Sequence, residues 1–585
     1  MRCIITISLL YWSVVSFAQP TITWSKNFGG SNQEVQSAMV ELSGGSVILG
    51  SSTFSNDKDV HNNYGKWDLW LAKLSPAGDT IWTKNYGSTE GDFLNDMIVD
   101  RTGRLVCVGS SYANNTGDVG MGKGSRDMWV ICIDTASGAV IWSKVYGSSG
   151  YDEGYDIVQM NNGHFVVAGI NQGNDGDVTN NHGGYDGWIV QLDSNGNKVK
   201  EKSFGGTKFE QFSDVIVSAN GGLVLAGEAQ SNDFDVTGNH GSNDMWVVRL
   251  DTALQLVWQK CVGGSSYDNA WSVKELPGGN LLAAGCEQST DGDLTSVSNA
   301  DIKGNYYLVK FSSTGNILWQ KAYGGTSYDY LDDMLQRGAN EFVLIGEAES
   351  DDGNIATNYG MADIWLASVD SNGTILWSKS MGGSKGDFGN SAITNREGGL
   401  YVFSVSQSAD SDIVQTKGNS DIWVVKLCLP ADTGLSKSMF TYTADHNYPG
   451  ATYTWIDCSN NSVVGSGRSF TATKNGNYKL VISQPCIADT SSCFTVTGVD
   501  VKNVFEQRNI TVYPNPGHGV FGIISDKIIP NEKILVTDIS GRRIPTQLVS
   551  KQNRQYVDLG DVIPGIYILT IVDDVKVNKF KIRVE

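Results

Sequence analysis

The sequence predicts an all-β chain whose largest part is a seven-bladed β-propeller, and three observations carry that expectation. Two alternating apolar runs, Asp68–Leu74 and Thr80–Tyr86, are joined by a Pro/Gly turn and read as half-buried antiparallel strands. The first run's aromatic returns at Trp129, Trp188, Trp246, Tyr307, Trp365 and Trp423, so Trp70 begins a series with steps of 58 to 61 residues. The second run's Trp82 has counterparts at Trp24, Trp142, Trp258, Trp319 and Trp377, with Lys200 in the remaining slot. Both halves therefore occur seven times.

Self-similarity at a fixed period marks one supersecondary unit that cannot bury its own apolar face and stacks on its neighbours. Each repeat reads as four strands, A to D, at residues 35–42, 46–53, 68–74 and 80–86 in the first copy. Glycine-rich A–B and C–D turns (Ser43-Gly44-Gly45; Ser194-Asn195-Gly196) predict tight hairpins. Seven four-stranded antiparallel units are what a propeller requires. Its closure is also legible: the last copy stops after 421–427 without a D strand, while Thr21–Phe28 is a D strand without a C. The parity of an antiparallel blade puts every long B–C and D–A connection on one face.

Three recurring polar features sit on this scaffold. Lysine holds one D-strand slot in all seven copies (Lys26, Lys84, Lys144, Lys202, Lys260, Lys321, Lys379), as a guard against edge-to-edge pairing or a local ion pair. An acid follows each D strand (Glu34, Asp92, Asp152, Glu210, Asp268, Asp329, Asp387), to ring the axis or to accept backbone N–H groups of its own turn. The B–C loops carry alternating acids with a third one further on: Asp57/Asp59/Asp68, Asp175/Asp177/Asp186, Asp233/Asp235/Asp244, Asp410/Asp412/Asp421 and Asp352/Asn354/Asp363. Hard oxygen ligands so spaced suit Ca²⁺, which makes Asp175, Asp177, Asp233, Asp235, Asp410 and Asp412 candidate calcium ligands. The alternative is that they cap a long turn, and the spacing fits no EF-hand.

A formal charge of -20 and a pI near 4.7 exclude a nucleic-acid or anionic-lipid partner, which would need clustered Lys and Arg. Residues 1–18 read as a signal peptide, with Arg2, an apolar run and Ser16-Phe17-Ala18, and no later run is long enough to span a membrane. Of the eight cysteines beyond it, Cys107, Cys132, Cys261 and Cys286 fall in repeat strands as small buried thiols, and Cys428, Cys458, Cys486 and Cys493 cluster where they can pair.

The repeats, 19–427, resemble the seven-bladed propeller repeats common in secreted proteins of Bacteroidetes-type bacteria, which implies secretion and a scaffold. Residues 428–498 alternate at period two around Trp455 and resemble the short Ig-like modules of the same proteins, with Trp455 as a core plug. After a linker at 499–504, residues 505–585 carry Tyr513-Pro514-Asn515-Pro516, Gly541-Arg542-Arg543, Gly565-Ile566-Tyr567 and a basic finish. That series resembles the type A C-terminal sorting domain of the type IX secretion system. It implies that system's machinery as a partner and a secreted or outer-membrane-surface location.

No strand-bounded Gly-x-Ser-x-Gly elbow, Cys/His dyad, His-Glu-x-x-His or phosphate-cradling glycine loop is evident, and His182 and His240 occupy equivalent loop slots. Acids repeated at equivalent positions argue for architecture, because catalysis needs one asymmetric site. The expected function is a binding or scaffold protein meeting glycan, matrix or protein through its long-loop face. The rival is a propeller enzyme acting on polysaccharide or peptide, built where a blade departs from the repeat; blade five does so at 299–305 with three added residues.

Overall fold

The computed structural model describes residues 19–585 apart from 113–114, 296, 298–302, 432, 446, 449, 485, 500–509, 526–527, 552–553 and 573–576. The signal peptide expected at 1–18, most of the linker and most of blade five's added residues lie outside the described residues. The chain falls into two compact units, Met1–Phe470 with Tyr478–Cys493, and Thr471–Asn477 with Phe494–Glu585.

Alternation of apolar and polar residues, punctuated by glycine turns, folds the first unit into seven four-stranded antiparallel sheets. In blade 1 the strands are Glu34–Glu41, Val47–Thr53, Asp68–Leu74 and Thr80–Tyr86. Blade 7 is completed from the other end of the repeats: Thr21–Phe28 pairs antiparallel with Asp421–Cys428, with Phe28 opposite Ile422. Each A strand touches the A strands of both neighbouring blades, blade 7 against blade 1 included, so the A strands are innermost and the ring is closed.

Strands B and C are buried on both faces, and their side chains form seven apolar cores, each shared by two successive blades. The recurring C-strand tryptophan is the largest piece of each core. Trp70, Trp188, Trp246 and Trp423 are fully buried, and Trp246 stacks on Phe212 of its own blade at 4.9 Å. A buried indole needs a partner for its N–H. The residue before the strand D lysine supplies it in several blades: Trp129 donates to Ser143 Oγ (2.8 Å), Trp188 to Glu201 Oε2 (2.9 Å) and Trp246 to Gln259 Oε1 (2.9 Å), whereas Trp70 Nε1 has no hydrogen-bond partner.

The repeated D-strand lysine joins blades. Lys84 donates to Gly138 O (3.1 Å), Lys202 to Leu254 O (3.1 Å) and Lys321 to Gly373 O (2.9 Å), each in the C–D turn of the next blade. Lys26 adds an ion pair with Asp79 at 2.9 Å. Between 428 and 493 two small sheets form around Trp455, which stacks on Phe470 at 5.3 Å, and disulfides link Cys428 to Cys486 and Cys458 to Cys493. Cys107, Cys132, Cys261 and Cys286 are buried and free. The second unit contains two antiparallel sheets, one of four strands and one of three, around a core that includes Phe521, Val536, Leu569 and Ile582. No helix among the described residues is long and apolar enough to cross a membrane.

Candidate functional site

Acids on the long-loop face divide into a rim and an axial wall. On the rim, the acid that opens each A strand is fully buried and accepts the backbone N–H four residues before it, as Asp387 does from Gly383 (2.7 Å) and Asp268 from Gly264 (2.8 Å). Hydroxyls at the end of strand B complete the cap, with Ser406 and Ser408 donating to Asp387 at 2.5 and 2.8 Å. These seven acids are turn caps.

The B–C loop acids clip the turn arriving from the preceding blade. Asp175 Oδ1 accepts from Ser149 N (2.7 Å), Asp233 Oδ1 from Thr207 N (3.0 Å) and Asp410 Oδ1 from Ser384 N (2.8 Å). Two residues on, Asp177, Asp235 and Asp412 donate their N–H to Gly147, Gly205 and Gly382 and accept from the same glycines at 3.3 to 3.4 Å. Asp177 is also paired with Lys198 (2.8 Å) and Lys123. The six candidate calcium ligands are thus spread over three loops, two in each. No group of three or more His, Cys, Asp or Glu among the described residues is placed to hold a metal ion. Blade five has the same clip, Asp291 Oδ1 accepting from Ser265 N at 2.7 Å, which sequence reading passed over although Asp291-Gly292-Asp293 copies Asp175-Gly176-Asp177.

The third loop acid, at the start of strand C, meets the A-strand cap of the next blade. A Cβ on Gly87 would lie 2.4 Å from Asp68 Oδ1 and 2.8 Å from Asp92 Oδ2, so only glycine lets the two carboxylates converge. The same holds for Asp127/Asp152 at Gly147, Asp186/Glu210 at Gly205, Asp244/Asp268 at Gly263 and Asp363/Asp387 at Gly382. Burial, then the neighbouring carboxylate, pushes Asp68 up to about 8; burial pushes Asp92, Asp152, Asp186, Asp244 and Asp363 up to about 6.

The axial wall follows a different rule. A β-bulge interrupts the A strands of six blades, between Leu94 and Asp96 in blade 2 and between Leu331 and Asp333 in blade 6. A bulge turns two successive side chains to one face. Residues five and seven of each A strand form two layers. The deeper is a collar of Val40, Ile98, Val158, Ile216, Leu335 and Ile393, broken by Lys274. Above it lie Asp96, Asp156, Asp214, Ser272, Asp333 and Ser391, with Ala38 in blade 1. Each of the first three accepts an N–H from the next blade's A strand: Ile157 (3.3 Å), Val215 (2.7 Å) and Val273 (2.6 Å). Lys274 reaches Asp214 at 3.2 Å. Burial works to raise Asp214, but the ammonium together with hydrogen bonds from Asp156, the Val273 N–H and Lys274 holds the carboxyl below its ordinary value; burial, and then the two facing carboxylates, push Asp156 well above.

At the mouth the wall is asymmetric. In blades 2 and 3 the Arg126 guanidinium lies 4.4, 5.6 and 5.2 Å from the rings of Phe93, Tyr112 and Tyr151 and bonds Glu153 (2.9 Å) and Ser110 (2.8 Å). In blades 5 and 6, Tyr328 stacks on Tyr330 at 5.7 Å, and Trp271 Nε1 donates to Tyr330 Oη at 2.8 Å. Asp332 and Glu347 share a hydrogen bond there. Burial raises both, Glu347 to about 7. Apart from Glu153 and Ser110, which are buried, these residues are partly exposed. Sequence reading missed them. The available signal was the columns of the A strand that fail to repeat, such as Asp332-Asp333 standing where the other strands carry one acid or none.

Residues 511–585 match the family of secretion system C-terminal sorting domains. Such a domain marks proteins carried by the type IX system, so this all-β propeller chain is secreted or displayed at the outer-membrane surface. No curated protein sequence matches the chain. Similar solved structures include a copper-bound fungal alcohol oxidase of the AA5 family (9% identity, 97% of this chain and 100% of that one, TM-score 0.37). Others are a Fusarium graminearum GH93 α-L-arabinofuranosidase with arabinobiose (10%, 70% and 98%, 0.35) and a Penicillium chrysogenum α-L-arabinanase with arabinobiose (10%, 60% and 98%, 0.34). Likeness at that level bears on neither activity nor ligand.

Proposed function

We propose that the chain is an exported binding or scaffold protein whose long-loop face engages glycan, matrix or another protein at the axial mouth. One observation carries this reading: partly exposed aromatic and acidic residues gather where the repeat breaks, while the repeated acids are spent on holding turns. Aromatic faces beside polar groups are how concave sites take up ligands. The test is a glycan and matrix-protein array probed with the secreted chain and with a Tyr330→Ala variant. Retained binding by the variant, or no binding by either, sinks the reading.

The finer account of the termini is part of the same proposal: a signal peptide at 1–18, an Ig-like spacer at 428–498 and a type A sorting domain handled by the type IX machinery. Removing 505–585 should leave a folded propeller in the periplasm. Surface or medium recovery of that truncated chain would refute the sorting assignment. The alternative, a propeller enzyme acting on polysaccharide or peptide, predicts turnover of an array ligand abolished by Glu347→Gln.

A further inference from the structure

The mouth contains its own internal comparison. Arg126 stands immediately before strand C of blade 2, Tyr151 immediately before strand A of blade 3, and Glu153 at the second position of that strand. Between them they form an aromatic and carboxylate cage already filled by a cation. Three blades further round, the same positions hold Gly304, Tyr328 and Tyr330. The arginine is gone. The atoms nearest a Cβ on Gly304 would be Gln288 Cγ (3.4 Å), Glu287 O (3.5 Å) and Tyr328 Cδ2 (3.5 Å), all ordinary contacts, so the space a side chain takes in blade 2 faces the Tyr328 ring.

Tyr328 keeps the place of Tyr151, whereas Asn269, Gln288 and Tyr330 stand where blades 2 and 3 carry Phe93, Tyr112 and Glu153, so the carboxylates here come from other positions, Asp332 and Glu347. Tyr328 and Tyr330 stack with an interplanar angle of 18°, and Trp271 meets Tyr330 edge-on at 6.3 Å; burial raises both tyrosine hydroxyls, and Asp332 adds to the rise at each while Glu347 adds to it at Tyr328. Asp332 Oδ2 is buried without a hydrogen-bond partner. Neither acid is in an ion pair among the described residues; they share a hydrogen bond, and ionising both without a cation is costly in a partly desolvated site. Trp271 Nε1 and Asn269 Nδ2 both point at Tyr330 Oη, which fixes the ring that would form the floor.

We infer that Tyr328, Tyr330, Trp271, Asp332 and Glu347, beside Gly304, bind the guanidinium group of an external ligand in the manner of Arg126 in blade 2. Planar guanidinium stacks on aromatic faces and donates several N–H groups at once, as Arg126 does with one N–H to Glu153 and another to Ser110. The proposal rests on the long-loop face being the binding face, and it specifies the chemistry recognised there.

The test is calorimetric titration of the full secreted chain with a short arginine peptide and its citrulline counterpart, which has the same shape without the charge. Binding of the arginine peptide should be at least about tenfold tighter. Asp332→Asn combined with Glu347→Gln should bring it to the citrulline level, while Lys123→Ala on the same face changes nothing. Competition by methylguanidinium alone would assign a free cation, and competition only by the peptide a protein side chain. On the unaltered chain, hydroxyl-radical footprinting should show the arginine peptide shielding Tyr328 and Tyr330 but not Tyr64 or Tyr359. Equal affinity for both peptides, or no shielding, overturns the proposal. An array-positive chain with that result would leave the binding face standing.

Discussion

The rim and the axial wall use the same residue type to opposite ends. Rim acids such as Asp387 are buried, repeat in every blade and have their oxygens committed to the turn they close. On the axial wall Asp332 stands in one blade alone, is partly exposed and faces another carboxyl group. A position repeated seven times has seven equivalent mechanical tasks, whereas a position that breaks the repeat is free to meet something from outside.

The largest break in this comparison would come from opening the ring. Deleting Thr21–Phe28 leaves Asp421–Cys428 an unpaired edge and uncovers the core shared by blades 7 and 1, at a cost of several kcal/mol. Thermal unfolding checks it. An unchanged melting temperature would mean that the first strand does not hold the ring.

Next in size is the contrast between the two acid sets. Asp387→Ala orphans the Gly383 N–H and two serine hydroxyls and should cost about 2 to 4 kcal/mol. Asp332→Asn keeps a donor for the hydrogen bond to Glu347 and should alter stability by less than about 0.5 kcal/mol. Equal losses in denaturant titration would erase the distinction between rim and wall.

A smaller effect follows from pH. Asp68 titrates at about 8 in the fold, and Asp92, Asp152, Asp186, Asp244 and Asp363 at about 6, against 3.8 for an ordinary aspartate. The folded state therefore holds more protons than the unfolded chain across that window, and stability falls as pH rises from about 4 to about 8. Turn hydrogen bonds hold Asp57, Asp175, Asp291 and Asp410 below their usual value, so they oppose this only at lower pH. The melting temperature should be higher at pH 5 than at pH 8, and the difference should shrink in Asp68→Asn.

The smallest expected change separates clip from metal ligand. Asp175→Asn keeps an acceptor for Ser149 N–H and should shift stability by about 0.5 kcal/mol or less, whereas Asp175→Ala should cost about 1 kcal/mol. Run in millimolar calcium and in chelator, the unaltered chain should unfold alike if the loop acids act only as clips. A calcium-dependent rise that Asp175→Asn and Asp177→Asn remove would assign calcium to these loops instead.

What the sequence determined was periodic. A 58 to 61 residue repeat and period-two alternation were enough for seven blades, for strand limits correct to within one residue in blade 1, for closure by Thr21–Phe28 and for a face carrying all the long loops. The sorting motifs at the far end were equally local. What only tertiary structure decided lies between blades, where partners are separated by whole connections: Asp175 meets Ser149, and Lys84 meets Gly138. The bulge in strand A also breaks the alternation from which facing is inferred. Asp332 and Asp333 therefore both turn to the axis, and a run of alternating residues cannot show that.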